Sequence, residues 1–236
     1  MHSSNRPPTV HPTRPMPTNH EGAASLIIVG AGGHAKVVLD AAQAMASFHI
    51  VGIADERREM HGALVLGYPV LGGLDALDDP TYRDCQLVVA IGDGAAREWV
   101  SADLEDRHRV FATVIHPSAQ VGVETEVGPG TVVLAGAVIN SGAGIGRHVI
   151  VNTRSSVDHD CSIGDFAHIA PGATLAGSVS VGRGTHIGMG ACVIEGTSIG
   201  AGCIVGAGAV VLTDVADHTV VVGVPAREMK RQAEIK

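Results

Sequence analysis

The sequence predicts two units in series: a small Rossmann-like α/β unit with one βαβ crossover, and behind it a parallel β-helix with six-residue rungs. Two observations predict this. A glycine-rich turn, Gly30-Ala31-Gly32-Gly33-His34-Ala35, lies between a short apolar run and an apolar helical stretch. From Ile115 to Val211 every sixth residue is aliphatic, without a break. Composition agrees: 45% apolar residues suffice for two modest cores, while 3% aromatics and 31 glycines call for narrow interiors filled by Val, Ile, Leu and Ala rather than by rings.

Residues 1–24 are rich in Pro, Thr, His and Asn, lack the apolar centre of a leader peptide, and read as a disordered tail. Residues 25–29 form a short buried strand, the glycine turn follows, and a helix runs to about Met45. A second strand covers Ile50–Ala54 and ends at Asp55-Glu56. This is G-x-G-x-x-A at the first turn of a βαβ unit with an acid about 20 positions on, the pattern that cradles a nucleotide phosphate on a helix N-terminus. The same pattern also fits a turn that only packs helix on strand. One further strand is expected over Leu87–Ile91 before Gly92-Asp93, then a helix near Ala95–Leu104 and a strand near Arg109–Thr113. A dinucleotide needs two such halves. Only about 85 residues precede the repeat, so the expectation is one mononucleotide-sized site rather than NAD. The expected divisions are 25–110 for the front unit, 111–212 for the β-helix and 213–236 for a C-terminal cap.

A period of six fits neither a helix nor a hairpin-linked strand, but it fits short strands joined by tight corners. Each aliphatic residue then points inward and stacks on its equivalent one coil away, roughly 4.8 Å distant. Four places later sits a compact side chain, such as Thr131, Ala137, Cys161, Ala173 or Cys203, beside a corner that admits no bulk. If three rungs make one coil, residues 18 apart lie above one another. Cys161 and Cys203 are thereby packing residues. The four cysteines contain no C-x-x-C pair and read as reduced thiols of a cytoplasmic protein.

A formal charge of −8 without a Lys/Arg cluster argues against nucleic acid or an anionic membrane as partner. No apolar run approaches the ~20 residues of a spanning helix. Among the 13 histidines, His159 stands out. It lies off the inward column and is flanked by Asp158 and Asp160; a carboxylate neighbour raises imidazole basicity, as a general base requires. A solvated histidine between two surface acids fits the run equally well. Adding 18 to 159 gives Gly177, so the next coil carries no side chain there and leaves room for a thioester. His168 and His186 should stack, and Pro171, Met189, Ala207 and Pro225 form an uncharged column that suits either a pantetheine arm or ordinary packing.

The chain resembles the hexapeptide-repeat acyltransferases through its V-G-x4 rungs and Gly223-Val224-Pro225-Ala226. It resembles one branch of them, the bacterial nucleotide-amino-sugar N-acetyltransferases of the bacillosamine and perosamine type, through Gly30-Ala31-Gly32-Gly33-His34, residues 89–92 (Val-Ala-Ile-Gly), Ile115-His116-Pro117 and residues 158–164 (Asp-His-Asp-Cys-Ser-Ile-Gly). The resemblance implies a left-handed β-helix, a homotrimer with active sites between subunits, and transfer of acetyl from acetyl-CoA to the amine of a nucleotide-linked 4-amino-4,6-dideoxy sugar. It implies His159 as base with Asp160 raising its basicity. It implies His168, Gly177, Met189 and Ala207 at acetyl-CoA, and Gly32, Gly33, His34, Asp55, Glu56 and Gly92 at the nucleotide-sugar. Some relatives carry Ser at the position of Gly32 and Glu at that of Asp160. The second change shortens the acid by one methylene, so its reach to His159 is for the structure to decide. The rival acceptor is a hydroxyl of a sialic acid or related sugar, acetylated with the same His159. A non-catalytic sugar-nucleotide-binding trimer would keep the glycine turn and rungs without needing the acid–histidine pair. No metal is expected: a zinc hydratase needs three imidazoles within about 2.1 Å of one ion, and of His159, His168 and His186 only two share a column.

Overall fold

A computed structural model describes residues 23–229; the expected tail up to residue 22 and the end of the cap from residue 230 lie outside the described residues. The front unit is a five-stranded sheet of order β3-β4-β2-β1-β5, with β1 (Ala24–Val29), β2 (Phe48–Ala54), β3 (Leu64–Val65), β4 (Tyr68–Gly72) and β5 (Gln86–Val89). Helix α1 (Gly33–Met45) connects β1 to the parallel β2, and α2 (Gly94–Asp106) follows β5. Helix α1 buries Ala35, Val38, Leu39 and Ala42, the spacing of one helical face. Helix α2 begins where the Asp93 carboxylate accepts the Ala96 N–H at 2.8 Å. The hairpin of β3 and β4 has no counterpart in the sequence reading, because two residues of β3 are too few to show a period. The strand expected near Arg109–Thr113 is reduced to one bridge between Phe111 and Leu87.

Behind it the chain winds into a three-faced prism of two-residue strands. The first face carries β6 (Val114–Ile115) and its repeats Val132–Val133, Ile150–Val151, His168–Ile169, His186–Ile187 and Ile204–Val205. The second runs from Gln120–Val121 to Val210–Val211 and the third from Glu126–Val127 to Ser198–Ile199. Before the last coil, neighbours pair in parallel with partners 18 apart, as Ile150 with His168 and His168 with His186. Inside, the stack from Val133 to Val211 is buried, with Cys161 and Cys203 in the compact slots. Each such aliphatic contributes about 1.5–3 kcal/mol relative to exposure. Thr131 and Thr185 are buried too. Each hydroxyl donates to the carbonyl of Gly146 or Gly200 and accepts an N–H of the next coil, so neither polar group is left unpaired.

The stacking arithmetic fails only in the last coil. There Val205 pairs with Val221 and Ile199 with Val215, each 16 residues on. The chain then turns back as Val220–Val222 pairs antiparallel with Arg227–Glu228, and Pro225 falls outside the Pro171–Met189–Ala207 column in which the arithmetic put it. The front unit sits on the first face, where Val132, Leu134 and Ile150 point outward into the core around α1. Arg183 with Glu98, and Arg147 with Glu105, add ion pairs beside this contact.

Candidate active site

His159 and Asp160 form the corner between the second and third faces, joining strands Ser156–Val157 and Ser162–Ile163. Asp160 takes the left-handed conformation such a corner requires, φ +58°. From there its shorter side chain reaches the ring, with Oδ2 2.8 Å from His159 Nδ1. Two glycines house the pair. An added Cβ on Gly142, one coil away, would stand 2.7 Å from Asp160 Oδ1; one on Gly177, in the next coil, would stand 2.5 Å from His159 Cε1 and 2.6 Å from Nε2. The space at Gly177 is therefore filled by the imidazole itself rather than left open for a thioester. Asp158 instead fixes the corner, because its Oδ1 accepts the His159 N–H at 2.8 Å and the Asn140 amide at 2.6 Å. The Asp160 hydrogen bond raises the His159 pKa above its ordinary value; slight burial opposes it and the charges of Asp158, Asp160 and Glu195 add to it. With Nδ1 tied to the carboxylate, Nε2 is the nitrogen free to take a proton.

A second feature lies at the C-terminal ends of β1, β2 and β5: a cavity of about 390 Å³ whose wall includes Gly32, Gly33, His34, Asp55, Glu56 and Gly92, all six residues implied for the nucleotide-sugar. Gly30 makes the turn at φ +104°, and a Cβ added there would stand 3.1 Å from Ile91 Cγ1 and 3.2 Å from Ala90 O, so a larger residue is disfavoured by both conformation and space. Gly32 and Gly33 open the N-terminus of α1 toward the cavity, and no side chain caps it. Asp55 is nearly buried and fully engaged, accepting Ala31 N–H at 2.6 Å and the Arg57 guanidinium at 2.8 and 3.0 Å. Burial alone would raise its pKa, but the bonds from Arg57 and the Ala31 amide outweigh that and lower it. Glu56 accepts Leu74 N–H at 2.7 Å through one oxygen. The resemblance implied both acids at the ligand; the structure adds that Asp55 braces the glycine turn at Ala31 and Glu56 the backbone at Leu74, and Arg57, which the sequence reading overlooked, also lines the cavity.

His34 leans from α1 toward His168 on the first face, ring centroids 6.4 Å apart, and His168 meets His186 edge-on at 4.8 Å. Burial first, and then the charge of Arg97, push His34 down to about 4. Burial, His186 and Arg97 push His168 down to about 3, so both are neutral at ordinary pH. The Asn152 amide lies 3.0 Å from His168 Nε2. Among the described residues no group of three or more His, Cys, Asp or Glu is arranged to hold a metal ion. The residues implied for acetyl-CoA thus divide into three places: Gly177 beside His159, His168 beside His34, and exposed Met189 with Ala207 on the corner between the first and second faces. His159 is on a different edge of the prism from the front cavity. Sequence reasoning also missed Arg97, an arginine inside a helix that no motif announces.

Residues 25–104 match the family described as PglD N-terminal domain, and residues 178–213 the bacterial transferase hexapeptide family of six repeats. A GDP-perosamine N-acetyltransferase of Escherichia coli O157:H7 is 34% identical over 118 residues, 50% of this chain and 53% of that protein, so the chain spans about half the length of this curated relative. Among solved structures, the acetyltransferase domain of PglB from Neisseria gonorrhoeae in complex with acetyl coenzyme A is 36% identical with a TM-score of 0.82, covering 88% of this chain and 100% of that one. PerB from Caulobacter crescentus in complex with CoA and GDP-perosamine is 40% identical with a TM-score of 0.82, covering 88% and 98%. WeeI from Acinetobacter baumannii is 30% identical with a TM-score of 0.80, covering 88% and 100%.

Proposed function

The chain belongs to the hexapeptide-repeat N-acetyltransferases of nucleotide-linked amino sugars, and from that premise we propose that it carries acetyl directly from acetyl-CoA to the amine of a nucleotide-linked 4-amino-4,6-dideoxy sugar, with His159 as general base. The observation that carries this reading is the His159–Asp160 pair, tied at Nδ1, free at Nε2 and set over Gly177. The sugar amine attacks the thioester carbon while Nε2 takes its proton; the tetrahedral intermediate collapses, the C–S bond breaks, and the CoA thiolate leaves with a proton returned by the imidazolium. A backbone N–H at the Gly177 corner steadies the oxyanion. The nearby thiol of Cys161 is turned into the prism, donates to the Ala176 carbonyl at 3.2 Å and is pushed up by burial, which supports direct transfer over a covalent acyl-enzyme.

In this reading residues 25–110 hold the nucleotide, 111–212 bind acetyl-CoA and 213–236 cap the coils. Because His159 and the front cavity occupy different edges of one chain, transfer requires the corner of one copy to face the cavity of another, as in a threefold assembly of identical chains. Met189 and Ala207 then flank the pantetheine arm. No helix among the described residues is long and apolar enough to cross a membrane. A cytoplasmic location goes with this reading, because acetyl-CoA and nucleotide sugars are made there. The test is acetyl-CoA consumption with GDP-, UDP- and dTDP-linked 4-amino sugars beside free sialic acid. The reading expects turnover with one or more of the nucleotide-linked amines; turnover with sialic acid alone would replace it by O-acetylation.

A further inference from the structure

Arg97, on the second turn of α2, is fully buried, and all four of its partners are carbonyl oxygens. Nε donates to His148 O at 2.9 Å and Nη2 to Phe166 O at 2.6 Å, on successive coils of the prism; Nη1 donates to Ile91 O at 2.9 Å and Gly92 O at 3.1 Å, in the loop that walls the front cavity. None of these neutralises the charge. Asp93 and Glu98, on or beside the same helix, act on it only at a distance: Asp93 caps α2 and Glu98 pairs with Arg183. Burial pushes the guanidinium down to about 10, still charged at neutral pH. A buried cation held only by neutral acceptors is costly, and a protein that needed only a rivet would be served by neutral donors.

The cavity it stands behind has the opposite difficulty. Its charged lining is Asp55, Glu56 and Arg57, two carboxylates against one guanidinium, and that guanidinium is committed to Asp55. His34 is neutral. A doubly charged ligand placed against Gly32 and Gly33 would meet net negative charge at short range, with only backbone amides in its favour. We propose that Arg97 is a positioning residue for the nucleotide-sugar: its unneutralised charge, one carbonyl layer behind the cavity, finds its counter-anion in the ligand's diphosphate. This rests on the proposed function, because the diphosphate is supplied by that substrate class. The residue does not touch the ligand. It acts through the carbonyls of Ile91 and Gly92, which it draws toward itself and away from the phosphates.

The test is the ratio of Kd for a nucleoside monophosphate to Kd for the corresponding diphosphate, measured by calorimetry with GMP and GDP and with UMP and UDP on the wild type, Arg97→Lys and Arg97→Met. A ratio is insensitive to the folded fraction of a preparation. The proposal expects the diphosphate preference to fall about tenfold in Arg97→Met and to survive in Arg97→Lys, with acetyl-CoA affinity unchanged in both. Should Arg97→Met not fold, Arg97→Gln, which keeps two donors for the carbonyls, carries the same expectation. An unchanged ratio in the neutral variant, or an equal collapse in Lys and Met, overturns the proposal and leaves Arg97 as a clamp between the two units. Failure of the wild type to bind any nucleoside diphosphate would instead overturn the functional reading beneath it.

Discussion

Gly177→Ala isolates the His159–Asp160 pair with one methyl group. Gly177 is not among the glycines in the left-handed region, so alanine adopts its backbone without strain. The added Cβ would stand 2.5 Å from His159 Cε1, 2.6 Å from Nε2 and 3.2 Å from Nδ1, with no other neighbour among its closest contacts. Carbon contacts settle at about 3.5–4.0 Å, so the ring must retreat by roughly 1 Å, the misplacement that costs about 10²-fold in rate. His159 is exposed and can swing away, so the fold is spared. Gly→Ala at a compatible position gains about 0.4–1 kcal/mol through the unfolded state. Steady-state turnover at saturating acetyl-CoA, beside a thermal melt, reads both effects: kcat falls about 10²-fold while Tm holds or rises slightly. Activity within about twofold of wild type would refute the reasoning, since a ring displaced from Asp160 could not then be the base.

His159→Ala should lower kcat by about 10²–10⁴ and leave the Kd for acetyl-CoA unchanged; an equal loss of CoA binding would make the residue a donor contact instead. Only neutral imidazole accepts the proton, so kcat/KM should fall as pH drops below the raised His159 pKa, and Asp160→Asn should move that limb to lower pH while reducing the plateau. A pH profile indifferent to Asp160→Asn would sever the acid from the base. Asp55→Asn should raise KM for the nucleotide-sugar, not for acetyl-CoA, and cost about 1–3 kcal/mol in urea unfolding by leaving Arg57 without its carboxylate. Because the folded pKa of Asp55 is lowered, its contribution is present above the ordinary carboxylate range and fades as pH falls through the folded value, so the variant's stability should vary less with acid; an unaltered acid dependence would show the pair to be worth nothing.

The coils were legible because their period is long, unbroken and imposed by stacking: Ile150, His168 and His186 could be aligned by adding 18, and the structure pairs them so. The arithmetic broke where the last coil loses two residues: the sixfold run ends at Val211, position 217 is an aspartate, and Val215 and Val221 take the inward places two residues early. At the site, the glycine turn with its acid about 20 positions on and the His159–Asp160 run carried enough local chemistry to be singled out, while the full set of six front residues came from the resemblance. What stood there was hidden from the sequence: that the imidazole fills the gap over Gly177, and that Asp55 and Glu56 brace backbone amides as well as facing a cavity. Arg97 left no trace at all, because its partners are backbone carbonyls, which residues of any type present alike.

The proposed transfer has the imidazole of one copy meet the nucleotide cavity of another, and every step of the proposed chemistry depends on that meeting. Co-assembling His159→Ala with a cavity-blocked Gly32→Trp, each inactive alone, measures this most directly. Random mixing in a threefold assembly leaves intact both components of about a quarter of the shared sites, so activity should recover to about a quarter of the wild-type value. If mixed assemblies form and stay as inactive as the two parents, base and cavity belong to the same copy and transfer between copies is wrong.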